Sequence, residues 1–291
     1  MKYAYYPGCS LRGTGRAYEE SLLAVLRILE VEVEEIDDWN CCGATTYLSV
    51  DELTSYALAA RNLALASRQS GEIIAPCAAC YLVLNKTQHY IREYPTIKLV
   101  VTRALDSIGL AYQDDIRVRH PLDVLLNDVG LEKIAKKVKV PLKGLKVAPY
   151  YGCQIVRPYS TFDDQRNPTS MDRLLEACGA KVVHYPLKTR CCGGSQKGTL
   201  PEVGLDLIHY LLSGAVANGA EVIATACPLC QFNLDSFQDE SGDRHHPIHI
   251  PVVYFTQLLA LALGAPAGSF GLHRCLVPIE PVLSEKEIAY A

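Results

Sequence analysis

Thiol side chains carry the clearest chemistry in this sequence, because ten of its 12 cysteines fall into one arrangement that occurs twice. Each arrangement consists of a single cysteine, an adjacent Cys-Cys pair and a Cys-x-x-Cys motif. In a reducing compartment, clustered cysteines bind metal or carry out redox chemistry more often than they form disulfides. The first set is Cys9, Cys41, Cys42, Cys77 and Cys80. The second set is Cys153, Cys191, Cys192, Cys227 and Cys230.

The two sets match each other in spacing and in flanking residues. Cys42 and Cys77 lie 35 positions apart, and so do Cys192 and Cys227. Both adjacent pairs are followed directly by glycine. The period is about half of the chain, far longer than a solenoid repeat, so the pattern predicts a duplication into two similar domains related by a pseudo-twofold axis. The predicted domains are residues 1–142 and 143–291.

Two further regions bear on this division of the chain. Arg117–Leu126 resembles Pro251–Ala260, which extends the repeat beyond the cysteines. The boundary is placed near Pro141–Gly144, where a lysine-rich stretch ends and a new apolar run begins.

Five cysteines suit some metal groups better than others. A structural zinc ion takes four ligands, commonly from two Cys-x-x-Cys pairs, and each set here offers one such pair. Adjacent cysteines point in different directions, so a group with several metal atoms uses both better than a single tetrahedral ion does. A cubane iron–sulfur cluster takes four cysteines, and five indicate a larger or less symmetrical group. Iron–sulfur ligation is the favoured interpretation, with zinc in one set or incidental thiols as alternatives.

The cysteines must be positioned by the elements around them. Alternation of strand-like and helical runs predicts an α/β fold with parallel strands, whose carboxyl ends collect functional groups. Each cysteine set is expected at one edge of its own sheet. The predicted strands are Lys2–Tyr6, Val31–Ile36, Glu72–Ala75, Lys146–Tyr151, Lys181–Tyr185 and Glu221–Thr225. The predicted helices are Arg16–Glu30, Asp51–Ser70, Ser170–Cys178 and Pro201–Asn218, with a further helix after each Cys-x-x-Cys.

Composition excludes several classes of function. The formal net charge is −4, so the chain lacks the excess of basic residues that is typical of nucleic-acid-binding proteins. The sequence starts without an apolar signal core and contains no uninterrupted apolar run of membrane-spanning length. We expect a cytoplasmic protein, with peripheral attachment to a membrane-bound complex as a compatible arrangement.

Other polar residues receive simpler interpretations. His184 is expected to be a buried strand residue, and Cys178 to pack in an amphipathic helix, whereas Cys275 is assigned no role. A solvated loop is expected around His245, His246 and His249, with metal binding as the alternative. Cations near the cysteines could offset the charge of a metal group or draw in an anionic substrate, and the alternative is that they are ordinary surface charges. They are Arg12, Arg16, Arg157, Lys188, Arg190 and Lys197.

Tyrosines next to the cysteines raise a separate hypothesis. Tyr6, Tyr150 and Tyr151 each lie within three positions of the first cysteine of a set. One of these hydroxyls is a hypothetical proton donor to a reaction at the metal group.

The duplicated pattern Cys, Cys-Cys-Gly, Cys-x-x-Cys resembles the cysteine-rich CCG domain. Over nearly its whole length, the chain is also similar to the family of B-type heterodisulfide reductase subunits. The resemblance implies two CCG domains, each with a mainly parallel sheet flanked by helices. It also implies that each five-cysteine set holds a noncubane [4Fe-4S] cluster, and that a small disulfide is reduced to two thiols, or formed, between the clusters. A ferredoxin-like iron–sulfur subunit and a flavoprotein subunit are the implied partners.

Two other functions remain open. CCG domains also occur in membrane-associated dehydrogenase complexes, such as succinate:quinone reductase, where this chain would relay electrons to quinone. A zinc-stabilised interaction scaffold is the third possibility. The sequence names neither the substrate, the direction of reaction nor the partner subunits.

Overall fold

The fold is taken from a computed structural model that describes residues 1–44, 46–242 and 247–289. It contains two four-stranded sheets in which every neighbouring pair of strands is parallel. The first sheet consists of Lys2–Tyr5 (β1), Glu32–Glu35 (β2), Glu72–Ile74 (β3) and Arg117–Arg119 (β4). The second consists of Lys146–Tyr150 (β5), Lys181–Val182 (β6), Val222–Thr225 (β7) and Val252–Tyr254 (β8).

The two sheets share one topology. The strand order is β2-β1-β3-β4 in the first sheet and β6-β5-β7-β8 in the second, so each strand has its counterpart four strands later. Parallel neighbours need crossover connections, which helices supply here. The α/β prediction with two duplicated parallel sheets is confirmed.

Helices cover the sheets and connect their strands. The helix predicted after each Cys-x-x-Cys motif is present and begins inside the motif, directly after its first cysteine. The helices are Gly8–Leu11 (α1), Arg16–Ile28 (α2), Thr46–Val50 (α3), Glu52–Ala66 (α4), Ala78–Glu93 (α5), Pro95–Asp106 (α6), Pro121–Val124 (α7), Leu131–Lys137 (α8), Ser170–Ala177 (α9), Pro201–Ala217 (α10), Pro228–Ser236 (α11), Gln238–Gly242 (α12), Phe255–Ala262 (α13) and Glu280–Glu285 (α14).

Two sequence predictions about histidines have different outcomes. The prediction that His184 is buried in a strand is wrong, because β6 ends at Val182 and the His184 side chain is exposed. An edge strand of two residues leaves the following segment free to turn outward. His245 and His246 lie outside the described residues, and His249 is exposed.

The two halves pack on each other through helices, chiefly α2, which follows β1, and α13, which follows β8. Helix α2 of the first half packs along α13 of the second, with a 2.6 Å hydrogen bond between Ser21 Oγ and Thr256 Oγ1 at the buried contact. Gly15 also approaches Pro228 so closely that a Cβ at Gly15 would lie 2.9 Å from the proline Cβ. One apolar core therefore runs through both halves. Within the described residues, none of the helices is both long and apolar enough to span a bilayer.

Candidate metal centres

The first cysteine set lies at the carboxyl ends of three neighbouring strands. Cys9 follows β1, Cys41 and Cys42 follow β2, and Cys77 and Cys80 follow β3. The Sγ atoms of Cys9 and Cys41 are 3.8 Å apart, and those of Cys42 and Cys80 are 3.3 Å apart. Cys77 is hydrogen-bonded to Cys80. The structure thus brings all five thiols together at one edge of the first sheet.

The second set repeats this arrangement beyond β5, β6 and β7. Cys153 is hydrogen-bonded to Cys191, and Cys230 is hydrogen-bonded to both Cys192 and Cys227. Three pairings of the first set thus recur at the second sheet. The duplication therefore extends from sequence spacing to side-chain contacts.

Each set has an exposed side and a buried side. The lone cysteine and the first cysteine of the adjacent pair form the outer pair, which is exposed in the first half and partly exposed in the second. The other three cysteines form the inner trio and are buried in both halves. The outer pairs are Cys9 with Cys41 and Cys153 with Cys191. The inner trios are Cys42, Cys77 and Cys80, and Cys192, Cys227 and Cys230.

Local hydrogen bonds favour the thiolate form of one member of each outer pair. Hydrogen bonds from Cys42 and Cys9 lower the pKa of Cys41 well below the usual range of a thiol. A hydrogen bond from Cys153 lowers the pKa of Cys191 to about 6, and the Gly193 amide, whose nitrogen lies 3.4 Å from Cys191 Sγ, acts in the same direction. The same hydrogen bonds raise the pKa of the other member, Cys9 or Cys153, so each outer pair contains one thiol that favours the thiolate form that binds metal.

The chemistry of the donors fits an iron–sulfur group in each set. Thiolate sulfur is the ligand class of iron–sulfur clusters, and three of the five thiols in each set are shielded from water. Within the described part of the chain, no group of three or more His, Cys, Asp or Glu side chains is arranged around a single metal ion. The thiols of each set are instead joined in hydrogen-bonded pairs.

A glycine before each lone cysteine leaves room for the inner trio. Gly8 and Gly152 have φ values of +68° and +72°, which side-chain-bearing residues rarely adopt. A Cβ on Gly8 would lie 2.8 Å from Cys80 Sγ, and one on Gly152 would lie 3.1 Å from Cys230 Sγ. Both positions therefore require glycine for backbone conformation and for space.

Tyr6 and Tyr150, near the cysteines, donate hydrogen bonds to backbone carbonyl groups. Tyr6 donates its hydroxyl to the carbonyl of Asn40 over 2.7 Å, and Tyr150 donates to Arg190 over the same distance. Asn40 and Arg190 are the residues just before the two Cys-Cys pairs. Burial, followed by the charge of nearby cysteines, raises the pKa of both tyrosines. These contacts favour a positioning role over the proton-donor hypothesis.

The third tyrosine, Tyr151, is also engaged in hydrogen bonds. Its hydroxyl donates to the Asp172 carboxylate over 2.5 Å and accepts the Met171 amide over 2.7 Å. Tyr151 therefore secures the start of α9.

Removing the two positioning hydroxyls should have unequal effects. In the first half, Asn62 Nδ2 also donates to the Asn40 carbonyl over 2.9 Å, so Tyr6→Phe leaves that oxygen with a partner. We expect Tyr6→Phe to lower the free energy of unfolding by about 1 kcal/mol, and Tyr150→Phe by about 1–3 kcal/mol. Denaturant unfolding of the metal-free protein measures both values.

The exposed Tyr47 provides the control, since Tyr47→Phe should change stability by less than about 0.5 kcal/mol. Equal effects of Tyr6→Phe and Tyr150→Phe would contradict the assignment of Asn62 as a second donor in the first half.

Three of the basic residues that lie near the cysteines in sequence have different surroundings in the structure. Lys188 is buried, and its Nζ contacts the Asp172 carboxylate at 3.1 Å, so it is not a solvated charge. Arg12 is bound in ion pairs with Glu19 and Glu35. Arg157 is exposed, and its charge lowers the pKa of Cys191 after the larger hydrogen-bond effects.

The two cysteines outside the sets also differ from each other. Cys178 is buried, as predicted, and burial raises its pKa to about 12. Cys275 is partly exposed and lies 3.9 Å from the Gln257 side chain.

Comparison with known proteins identifies the repeated unit. Residues 3–85 and 147–235 match the CCG cysteine-rich domain family. The crystal structure of a hypothetical protein from Helicobacter pylori has the same fold, with a TM-score of 0.76 and 14% sequence identity over 95% of this chain and 52% of that chain.

Three curated relatives match over nearly their whole length. The 8-methylmenaquinol:fumarate reductase membrane anchor subunit of Wolinella succinogenes is 32% identical, over 95% of this chain and 97% of that protein. A protein of Archaeoglobus profundus that is named as similar to the B-type subunit of heterodisulfide reductase is 30% identical, over 97% of both chains. The B-type subunit of the ferredoxin:CoB-CoM heterodisulfide reductase of Methanosarcina mazei is 29% identical, over 94% of this chain and 93% of that protein.

The family and the names of these relatives support an iron–sulfur oxidoreductase role in an electron-transfer complex. Both matched segments contain a complete five-cysteine set. The chain belongs to the CCG cysteine-rich domain family and carries the domain twice.

Proposed function

We propose that this chain is the catalytic iron–sulfur subunit of a heterodisulfide-reductase-like complex, in which a small disulfide is reduced to two thiols or the reverse. The ten cysteines of the two sets would hold two noncubane [4Fe-4S] clusters, one in each half. The supporting observation is the shared geometry of the sets, because each combines a buried inner trio with an outer pair that solvent reaches.

The proposed reaction needs two electrons, which matches two metal groups. Reduction of R–S–S–R′ breaks the sulfur–sulfur bond and takes up two electrons and two protons, giving R–SH and R′–SH. An iron–sulfur group in each set would supply one electron when loaded. The electrons would come from a separate iron–sulfur protein, since the chain shows no flavin or nicotinamide fingerprint in its sequence.

The protein's own residues would hold the metal groups and guide the substrate. The inner trios would anchor each group away from water, and the outer pairs would leave its exposed side open. The exposed Arg157 lies near the outer pair of the second half, where its positive charge would attract an anionic thiol or disulfide.

Domain organisation and partners follow from the same proposal. We place the boundary between residues 142 and 143, in the segment between α8 and β5 that separates the two sheets. A ferredoxin-like iron–sulfur subunit, of the C type found in heterodisulfide reductases, and a flavoprotein subunit are the proposed partners. The complex would lie in the cytoplasm or at the inner face of the membrane.

A second function is supported by one of the relatives. The Wolinella succinogenes protein is named as a membrane anchor subunit of a fumarate reductase, and its identity of 32% is similar to that of the heterodisulfide reductase relatives. In this alternative, the chain relays electrons between a membrane-associated dehydrogenase and quinone without disulfide chemistry.

An electron-acceptor assay distinguishes the two functions. Protein purified without oxygen is mixed with reduced methyl viologen, and the dye is monitored after addition of either a mixed alkyl disulfide or a soluble menaquinone analogue. The proposal predicts dye oxidation with the disulfide and release of two thiols for every two electrons. Oxidation with the quinone alone would overturn the proposal in favour of the alternative.

A further inference from the structure

One histidine at the contact between the halves lies beside the first Cys-x-x-Cys motif. His120 follows β4 and is fully buried. Its Nδ1 accepts the Leu122 amide over 3.2 Å, which places the ring proton on Nε2. Nε2 lies 3.0 Å from the carbonyl oxygen of Pro76, the residue just before Cys77, and donates to it.

The same ring also reaches the second Cys-x-x-Cys motif. The backbone of Ala226, the residue just before Cys227, also interacts with the His120 ring. Pro76 and Ala226 occupy equivalent positions in the duplicated pattern. A single imidazole therefore contacts the segment that leads into the inner trio of both sets.

Tyr18 contacts this imidazole and stacks on Tyr254 of the other half. Tyr18 Oη lies 3.5 Å from His120 Nε2. The rings of Tyr18 and Tyr254 are nearly parallel, at 8°, with centroids 4.6 Å apart. Burial and then the charge of Cys227 raise the pKa of both tyrosines, with Cys77 acting in the same direction, so the stack lies close to both inner trios.

The strand register makes His120 and Tyr254 structural counterparts. Val118 pairs with Ile73 in the first sheet as Val252 pairs with Ile223 in the second. Counting two residues onward from each makes His120 and Tyr254 equivalent positions, with His120 just after β4 and Tyr254 the last residue of β8. The duplicated halves thus place an imidazole and a phenol at equivalent positions, and Tyr18 contacts both of them.

We propose that His120 is a positioning residue that fixes the two Cys-x-x-Cys segments relative to each other across the contact between the halves. This inference rests on the proposed function, which identifies the metal groups. It adds that His120 sets the distance between them. The hydrogen bond to Pro76 is made in a buried environment, where a hydrogen bond is strong and its loss leaves the carbonyl without that partner.

Hydrogen exchange of the metal-free protein tests this coupling without any cofactor. The Tyr81 amide donates to Cys77 O over 2.8 Å, and the Gln231 amide donates to Cys227 O over 3.0 Å, so each reports on one motif. His120→Leu should raise the exchange rate of both amides by about tenfold. His120→Gln keeps an N–H near the position of Nε2 and should retain most of the protection.

Ser21→Ala is the matched control, because it removes a different buried hydrogen bond between the halves. It should leave both amides protected. If His120→Leu does not fold, His120→Asn takes its place, since Asn can accept the Leu122 amide but lacks the distant N–H. Faster exchange at Tyr81 alone would show a role confined to the first half and would overturn the inference.

A spectroscopic measurement on iron-loaded protein completes the test. With both groups reduced by one electron, His120→Leu should alter the magnetic interaction between them in the EPR spectrum, whereas His120→Gln and Ser21→Ala should preserve it. Wild-type protein without iron would overturn the proposed function and leave the exchange result standing. Full iron in His120→Leu with unchanged exchange at Gln231 would overturn this inference alone.

Discussion

Replacing one inner-trio cysteine should remove the metal group of one half and leave the other in place. We expect Cys42→Ala and Cys192→Ala each to reduce iron from about eight to about four atoms per chain, because a five-thiol set with one missing ligand no longer encloses its group. Both variants should also lose disulfide turnover, since the proposed reaction draws one electron from each half. Iron and sulfide analysis of anaerobically purified protein measures the first effect.

Cys178→Ala is the matched control for these variants. Cys42, Cys192 and Cys178 are all buried, so each substitution removes a similar amount of packed sulfur, but Cys178 lies outside both sets. Cys178→Ala should keep all of its iron. Retention of full iron in Cys42→Ala, or equal iron loss in Cys178→Ala, would contradict the assignment of the sets.

The second large effect is expected at the glycine before each lone cysteine. Gly8→Ala places a Cβ 2.8 Å from Cys80 Sγ, so the sulfur must move away from its position in the inner trio. We expect Gly8→Ala to lose the iron of the first half. Gly152→Ala should have a smaller effect on the second half, because the corresponding distance to Cys230 Sγ is 3.1 Å.

The chain offers a matched control for the backbone conformation. Gly109 has a φ of +69°, almost that of Gly8, but a Cβ there would meet no atom within 4 Å. Gly8→Ala and Gly109→Ala should therefore share a backbone cost of about 1–2 kcal/mol in the free energy of unfolding. Only Gly8→Ala should lose iron, and iron loss in both would show that backbone strain, not the contact with sulfur, is responsible.

The fold class could be predicted from the sequence because the same short patterns occur in the same order in both halves. Strands β1, β3, β5 and β7 are apolar, and each leads directly into a cysteine motif, so their places in two parallel sheets followed from alternation with helices. The spacing of the cysteines also grouped them correctly into two sets of neighbours in space. These features depend on residues that are close in sequence.

Features with a weak local pattern, and features that depend on distant residues, were not predicted. Helix α6 was missed because its buried residues, Val101 and Leu105, are accompanied by exposed Leu99 and Val100, which blur the helical pattern. The three-residue strands β4 and β8 were seen only as a similarity between two segments. The position of His120 between Pro76 and Ala226 requires the packing of one half on the other, which no local pattern specifies.

The central claim is that each half holds an iron–sulfur group in its five-cysteine set. The most direct measurement is the iron, zinc and acid-labile sulfide content of protein purified without oxygen, together with its EPR spectrum. The account predicts about eight irons and about eight sulfides per chain, with a signal that changes when a thiol is added. About four irons with one zinc, or zinc alone, would contradict the two-cluster assignment and leave one or both halves with a structural metal.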